Sequence, residues 1–139
     1  MKPSILGTAC GVAICATYVS AADHSAATRD VVMSHMRAVG QLDVDAYVAG
    51  YAEDAKIVTT TLVYSGHEEI REFAEAWFAE FSRPDVAIEM QSMIFEGDTA
   101  IVIFSADTPE KVYDLGVETF LVADGKIVTQ TYVVDVSPK

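Results

Sequence analysis

Cysteine, asparagine and positive charge are scarce in this chain, and each shortage narrows what the protein can be. The only two cysteines, Cys10 and Cys15, lie near the N-terminus, so the sequence predicts no disulfide framework and no cysteine nucleophile beyond them. Asparagine is absent, which excludes N-linked glycosylation. Lys and Arg number 9 against 21 Asp and Glu, and the resulting net charge of -12 argues against nucleic acids and anionic membrane surfaces as partners.

Residues 1–21 have the pattern of a cleavable export signal. Lys2 is their only charged residue, and the apolar run that follows is about 15 residues, shorter than the roughly 20 that span a bilayer. The run ends in the small-residue pattern Val19-Ser20-Ala21, which predicts cleavage after Ala21. We therefore expect a periplasmic or secreted protein with one domain over 22–139 and no membrane attachment after cleavage. An uncleaved membrane anchor is the alternative.

Helical periodicity dominates the first half of this domain. Residues 28–39 and a short segment capped by Asp43 carry apolar residues at helical spacing, whereas residues 55–64 are rich in Thr, Val and Ile and are predicted to be extended. Ser65-Gly66-His67-Glu68 matches a capping box, which predicts the start of another helix, and Pro84 marks its end. That helix has the clearest apolar face in the chain, formed by Ile70, Phe73, Ala74, Trp77, Phe78 and Phe81.

After Pro84 the apolar period changes from that of a helix to that of a strand. The four segments with this period are 86–95, 99–106, 111–122 and 126–136. Short turns separate them, so neighbouring strands are predicted to pair antiparallel. Helices followed by strands indicate an α+β fold, in which a curved antiparallel sheet wraps around the amphipathic helix and encloses a pocket.

Three short motifs follow one another along the chain. Residues 42–55 contain LDVDAY and YAEDA, residues 65–73 read SGHEEIREF, and residues 124–127 read DGKI. In this order and spacing the motifs are similar to those of the nuclear transport factor 2-like, SnoaL-like superfamily. The resemblance implies a cone-shaped α+β barrel with a pocket at its open end. It implies no particular reaction, because this fold carries several kinds of enzyme as well as non-enzymes.

Ketosteroid isomerases belong to the same superfamily and use a carboxylate base, a tyrosine on the first helix and an acid on a late strand. When the motifs are overlaid, these three positions fall on Thr59, on His35 and near Val117. A second pocket tyrosine is retained as Tyr51. With the base and the acid both missing from the overlaid positions, the resemblance argues against steroid isomerisation.

His35 is the candidate catalytic residue. The resemblance places it on a pocket-lining helix, where an imidazole can exchange protons near neutral pH. The alternative is a structural histidine that is half-buried at the edge of the helix and hydrogen-bonded to a backbone carbonyl.

A wall of polar side chains on the strands is the candidate ligand-binding site. From the overlay of the family motifs, we expect Leu115, Val117 and Thr119 to face the pocket. Asp114 and Glu118 are then expected on the outer face of the same strand. The alternative is that part of this wall faces solvent or a dimer partner. The predicted ligand-binding residues are Tyr51, Thr59, Thr119, Gln130 and Tyr132.

No metal site and no cofactor are predicted for the domain. His67-Glu68-Glu69 begins like a zinc-binding motif, but Arg71 occupies the position of the required second histidine. After cleavage, Ala22-Asp23-His24 would combine a free amine, two amides and an imidazole, a set suited to Cu(II) or Ni(II). The alternative is a chance tripeptide in a frayed terminus.

Three functions remain open on the sequence alone. The favoured hypothesis is a non-catalytic domain that binds a small, largely apolar molecule. The second is a cofactor-independent lyase, isomerase or hydratase that uses His35 as a proton shuttle. The third is an assembly module whose exposed sheet face forms a homodimer, an arrangement that the resemblance also implies.

Overall fold

The computed structural model of the chain describes residues 20–139, without the side chain of Ala21. Residues 1–19 of the predicted signal peptide therefore lie outside the described residues. Within the described part, no helix combines the length and the apolar character needed to cross a membrane.

Three helices precede most of the sheet: α1 (Ala21–Gln41), α2 (Val44–Ala49) and α3 (Gly66–Phe81). Helix α1 begins earlier than the apolar period predicts, because Ser20 and Asp23 form a reciprocal capping box at its start. Asp43 caps α2 as predicted, and its side chain accepts a hydrogen bond from the backbone N–H of Ala46 at 3.0 Å.

The start of α3 differs from the predicted capping box. Ser65 is the N-cap residue, but its side chain makes no capping hydrogen bond. Its backbone N–H donates instead to Oε2 of Glu69 at 2.6 Å, so the returning carboxylate belongs to Glu69 and not to Glu68. Gly66 follows with a φ of 75°, a left-handed backbone conformation that a residue with a side chain would adopt only with strain.

The six strands form one curved sheet that does not close into a barrel. Its order is β2-β1-β6-β5-β4-β3, and every neighbouring pair is antiparallel except β1 and β6, which are parallel. The α+β class and the four long antiparallel strands predicted after residue 85 are confirmed. The strands are β1 (Tyr51–Thr59), β2 (Val63–Ser65), β3 (Ala87–Glu96), β4 (Thr99–Asp107), β5 (Lys111–Ala123) and β6 (Lys126–Pro138).

The hydrophobic core lies between the helices and one face of the sheet, called here the inner face. Val32 on α1, Ile70 on α3 and Phe120 on β5 are fully buried there. A smaller cluster around Phe81 and Tyr113 extends the core toward the far end of α3. Removing large apolar side chains from water in this way is the main stabilising contribution in a domain of this size.

A register irregularity between Tyr113 and Leu115 determines which side chains of β5 face the core. Beyond it, the buried positions are Gly116, Glu118 and Phe120, so the predicted orientation of this strand is wrong by one residue. The bulge inserts an unpaired residue and thereby exchanges the two faces. The inward-facing wall predicted from Leu115, Val117 and Thr119 therefore lies on the opposite, outer face, where Leu115 is 44% exposed.

Candidate functional site

A cavity of about 70 Å³ lies between α1, α2, α3 and the inner face of the sheet. At roughly 10–15 Å³ per water molecule, this volume holds about five waters or a ligand of similar size. Its polar lining comes from His35, Tyr47 and Glu118, and the rest is mostly apolar: Met36, Val39, Phe73, Trp77, Ile88, Met90 and Phe104. A mainly apolar lining with a few polar groups is typical of sites that bind small molecules.

Strand β3 forms the mouth of this cavity. Ile88 and Met90 line it, yet they are 45% and 41% exposed because β3 is the last strand at this edge of the sheet. An apolar entrance of this kind suits a ligand whose hydrocarbon part reaches the protein surface.

Glu118 is the acidic group of the cavity. It is 9% exposed, and its Oε1 atom accepts a hydrogen bond from Nε2 of Gln130 at 3.2 Å. Burial raises the pKa of Glu118 from 4.5 to about 7, because a carboxylate loses hydration inside the protein, while the bond from Gln130 lowers it in part. Near neutral pH this carboxyl group can therefore both donate and accept a proton.

The prediction that Glu118 lies on the outer face is thus wrong. The overlay sought the acid of the late strand near Val117 and found none, whereas the next residue carries a carboxyl group into the cavity. Two features of the folded strand accompany this orientation. Phe120 shares the inner face with Glu118, and Gly116 leaves space for the Phe104 ring, since a Cβ atom there would lie 2.3 Å from that ring.

Gln130 connects Glu118 to two buried tyrosines. Its Oε1 atom accepts a hydrogen bond from the hydroxyl of Tyr51, and the Tyr47 hydroxyl lies 3.4 Å from the same atom. The two hydroxyls are 3.0 Å apart and share a further hydrogen bond. Burial raises the pKa of both tyrosines above their ordinary value, so they remain neutral and serve to orient Gln130.

His35 lies against this network. Its ring centroid is 4.4 Å from that of Tyr47, 5.4 Å from that of Tyr51 and 5.2 Å from that of Phe120. Within residues 20–139 its Nδ1 atom has no hydrogen-bond partner. The hydrogen bond to a carbonyl that a structural histidine would make is therefore not made by Nδ1.

Burial lowers the pKa of His35 from 6.5 to about 3. Protonating such a group at pH 7 costs about 5 kcal/mol, at 1.36 kcal/mol for each of the four pH units. The ring is thus a neutral hydrogen-bonding group, and Glu118 is better placed to exchange protons.

The structure brings four of the six predicted site residues to one region and separates the other two from it. His35, Tyr51 and Gln130 are buried together, and Tyr132 packs beside them, with its ring 5.5 Å from that of Phe73. Thr59 lies instead at the β1–β2 turn, where its hydroxyl donates to the carbonyl of Leu62 at 3.0 Å.

Thr119 is the second residue placed elsewhere, on the outer face of β5. Of the ten described residues that line the cavity, only His35 was predicted as a site residue. Tyr47, Phe73 and Trp77 were read as core positions of helices, which helical spacing alone cannot distinguish from a ligand site. Phe104 comes from a strand to which no site residue was assigned.

No group of three or more His, Cys, Asp or Glu side chains within residues 20–139 is arranged to hold a metal ion. The tripeptide Ala22-Asp23-His24 forms part of the first turn of α1 in the described chain. The Cu(II) or Ni(II) site considered for this tripeptide would require the free amine that cleavage creates.

The family model for a SnoaL-like domain matches residues 32–130. The chain belongs to the SnoaL-like domain family. The match begins within α1 and ends at Gln130 on β6, so it includes every described residue that lines the cavity. No curated protein gave a significant match.

Solved structures support the same fold. A protein proposed to be a ketosteroid isomerase from Kribbella flavida DSM 17836 is 18% identical, with a TM-score of 0.65 over 79% of this chain and 78% of that one. A protein proposed to be a polyketide cyclase from Sinorhizobium meliloti is 22% identical, with a TM-score of 0.63 over 74% and 93%. SalBIII, an epoxide hydrolase/cyclase-like enzyme in pyran ring formation, is 22% identical, with a TM-score of 0.66 over 81% and 95%. At these identities the likeness establishes the fold of the SnoaL-like domain and not its activity.

Proposed function

We propose that this SnoaL-like domain binds a small, mainly apolar molecule in the cavity beside Glu118. The observation that carries the proposal is a buried carboxyl group in an otherwise apolar cavity, held from one side by Gln130. Burying an acid costs folding free energy, and acids with a shifted pKa beside a cavity are concentrated at functional sites, so the placement of Glu118 beside empty volume favours a ligand-binding role.

The binding test uses a cavity-filling variant with a matched control. Val39→Phe adds volume inside the cavity, whereas Val63→Phe makes the same change on β2 at a position that is 53% exposed. Benzene or 1-butanol is titrated into the labelled protein, and backbone amide shifts are recorded. We expect saturable shifts at cavity residues in the wild type and in Val63→Phe, and their loss in Val39→Phe. Equal shifts in all three proteins, or none in the wild type, would contradict binding in this cavity.

A catalytic role is the second candidate. The raised pKa of Glu118 favours it, since a general acid or base works best when its pKa is close to the working pH. The reaction class would be a cofactor-independent isomerisation or cyclisation, in keeping with the names of the three structural relatives. On this proposal Glu118 moves the proton, while His35 hydrogen-bonds to the ligand as a neutral group.

Dimerisation through the sheet is a further proposal, supported by the outer face of β3 to β6. There the cross-strand neighbours Ile103, Val117 and Val133 lie side by side, and Val133 is 47% exposed. Exposed apolar side chains in one continuous patch are typical of an interface. Export also remains a proposal, supported by the pattern of residues 1–21 alone.

A further inference from the structure

The charges around the cavity indicate which class of molecule it accepts. Of its ten lining residues, Glu118 is the only carboxylate, and none is Lys or Arg. The whole chain carries a net charge of -12, which favours the approach of cations and disfavours that of anions. A ligand with its own carboxylate or phosphate would therefore meet no compensating charge within the cavity.

Aromatic rings provide a second feature that favours a cation. Four aromatic rings line the same cavity from three different elements: Tyr47 from α2, Phe73 and Trp77 from α3, and Phe104 from β4. The face of an aromatic ring carries partial negative charge and attracts ammonium groups, most strongly where water is excluded.

The hydrogen bonding of Glu118 leaves one acceptor available. Oε1 is occupied by the amide of Gln130. Within residues 20–139, Gln130 is the one side chain that hydrogen-bonds to this carboxyl group, and its bond ends at Oε1 rather than at Oε2. An ammonium group in the cavity would supply the missing donor together with a charge opposite to that of the carboxylate.

We propose that the ligand is a small organic amine, bound as its ammonium ion between the Glu118 carboxylate and the aromatic rings of the cavity. This inference rests on the proposed binding function and names its ligand class. The volume of about 70 Å³ fits a head of roughly five non-hydrogen atoms, and a longer hydrocarbon part would leave between Ile88 and Met90.

Binding of an ammonium ion requires the ionised carboxylate, and this requirement fixes the proton balance. A protonated Glu118 releases its proton to solvent as the ammonium ion arrives, and the amine keeps its own. The other titratable groups close to this carboxyl are Tyr47, Tyr51 and Tyr132, and His35 lines the same cavity. Burial raises the pKa of all three tyrosines and lowers that of His35, so all four stay neutral near pH 7 and contribute no proton of their own.

The test compares n-butylamine with 1-butanol, which has the same number of non-hydrogen atoms, by isothermal titration calorimetry near pH 6 and pH 8. We expect the amine to bind about tenfold more tightly than the alcohol at the higher pH, where Glu118 is ionised. Near pH 6 two buffers of different ionisation enthalpy should reveal proton release with the amine and none with the alcohol.

Two variants and one control show whether Glu118 is responsible. Glu118→Gln should abolish the preference for the amine and retain binding of 1-butanol. Trp77→Leu should weaken binding of the amine more than binding of the alcohol. This second variant tests the proposal even if Glu118→Gln does not fold. Asp114→Asn removes the same charge from the exposed outer face of β5 and should leave the preference intact.

The outcomes separate this inference from the function on which it rests. Binding of 1-butanol with no preference for the amine, or a preference that survives Glu118→Gln, overturns the amine proposal and leaves the binding function standing. Failure of both compounds to bind the wild type overturns both proposals.

Discussion

Replacing Glu118 with glutamine should change how the stability of the protein depends on pH. Glutamine has nearly the same shape as glutamate and can still accept the hydrogen bond from Gln130, but it carries no charge at any pH. The substitution therefore isolates the cost of ionising this one buried group.

The direction and the size of this change in pH dependence follow from the raised pKa of Glu118. In the folded chain the group titrates at about 7, against an ordinary value of 4.5 that applies to the unfolded chain. Between these values the folded state holds a proton that the unfolded state has released, so the free energy of unfolding decreases as the pH rises. The full difference of 2.5 pH units corresponds to about 3 kcal/mol at 1.36 kcal/mol per unit. The protonated Glu118 contributes this stability fully below pH 4.5, and the contribution is lost above about pH 7.

The assay is urea unfolding followed by the fluorescence of Trp77, the only tryptophan of the chain and a residue of the cavity wall. Wild type and Glu118→Gln are compared from about pH 4 to about pH 8, so that the titration of all other groups cancels in the difference. We expect the variant to gain stability relative to the wild type as the pH rises, by about 3 kcal/mol in total. Asp114→Asn, on the exposed face of the same strand, serves as control. A difference that stays flat, or one that reverses sign, would refute a buried Glu118 with a raised pKa.

Four further substitutions test other parts of the account. As the pH falls from 6.5 to 5, the free energy of unfolding of His35→Leu should rise by about 2 kcal/mol relative to that of the wild type in the same assay. The reason is that a histidine whose pKa is lowered by folding makes the folded chain less stable at lower pH. A difference that does not change with pH would argue against a buried neutral imidazole. Gln130→Met should destabilise the protein by about 2–4 kcal/mol in urea unfolding, since it leaves buried polar groups without hydrogen-bond partners. It should also raise the pKa of Glu118, and an unchanged titration of this carboxyl group by NMR would contradict the prediction. Gly116→Ala should lower the free energy of unfolding by about 1–3 kcal/mol, because the added methyl group clashes with the Phe104 ring. Gly40→Ala is the control: its added methyl group meets no atom within 4 Å, so it should be neutral or stabilising. Equal melting temperatures of the two variants would refute the clash. Val133→Lys should dissociate any dimer in sedimentation velocity, and an unchanged dimer would exclude the outer sheet face as its interface.

The fold was largely predictable because its signals are local. The apolar face of α3 and the alternation of the four long strands each follow from spacing along the chain. Asp43 could be assigned as a cap from its position before an apolar stripe, and the contact with Ala46 confirms it. The parallel pairing of β1 with β6 joins distant segments, and no local pattern in the sequence specifies it.

The candidate site was predictable only in part, because its decisive residue depends on strand register. The outer face of β5 is the more apolar one by sequence, with Leu115, Val117 and Leu121, and the motif overlay placed this face inward. A single irregularity beside Leu115 turned Glu118 inward, where Gln130 compensates part of the cost of burying it. Spacing cannot reveal such an exchange of faces, since the side-chain period of a strand is two and one extra residue reverses it.

The central claim is that the cavity contains an acid that exchanges its proton near neutral pH and is reached by a small ligand. The most direct measurement is an NMR titration of the Glu118 side-chain carboxyl carbon, recorded with and without saturating 1-butanol. We expect a midpoint at a pKa of about 7 in the free protein and a displaced midpoint when the cavity is filled. A midpoint at the ordinary value of 4.5, unaffected by the alcohol, would contradict both parts of the claim.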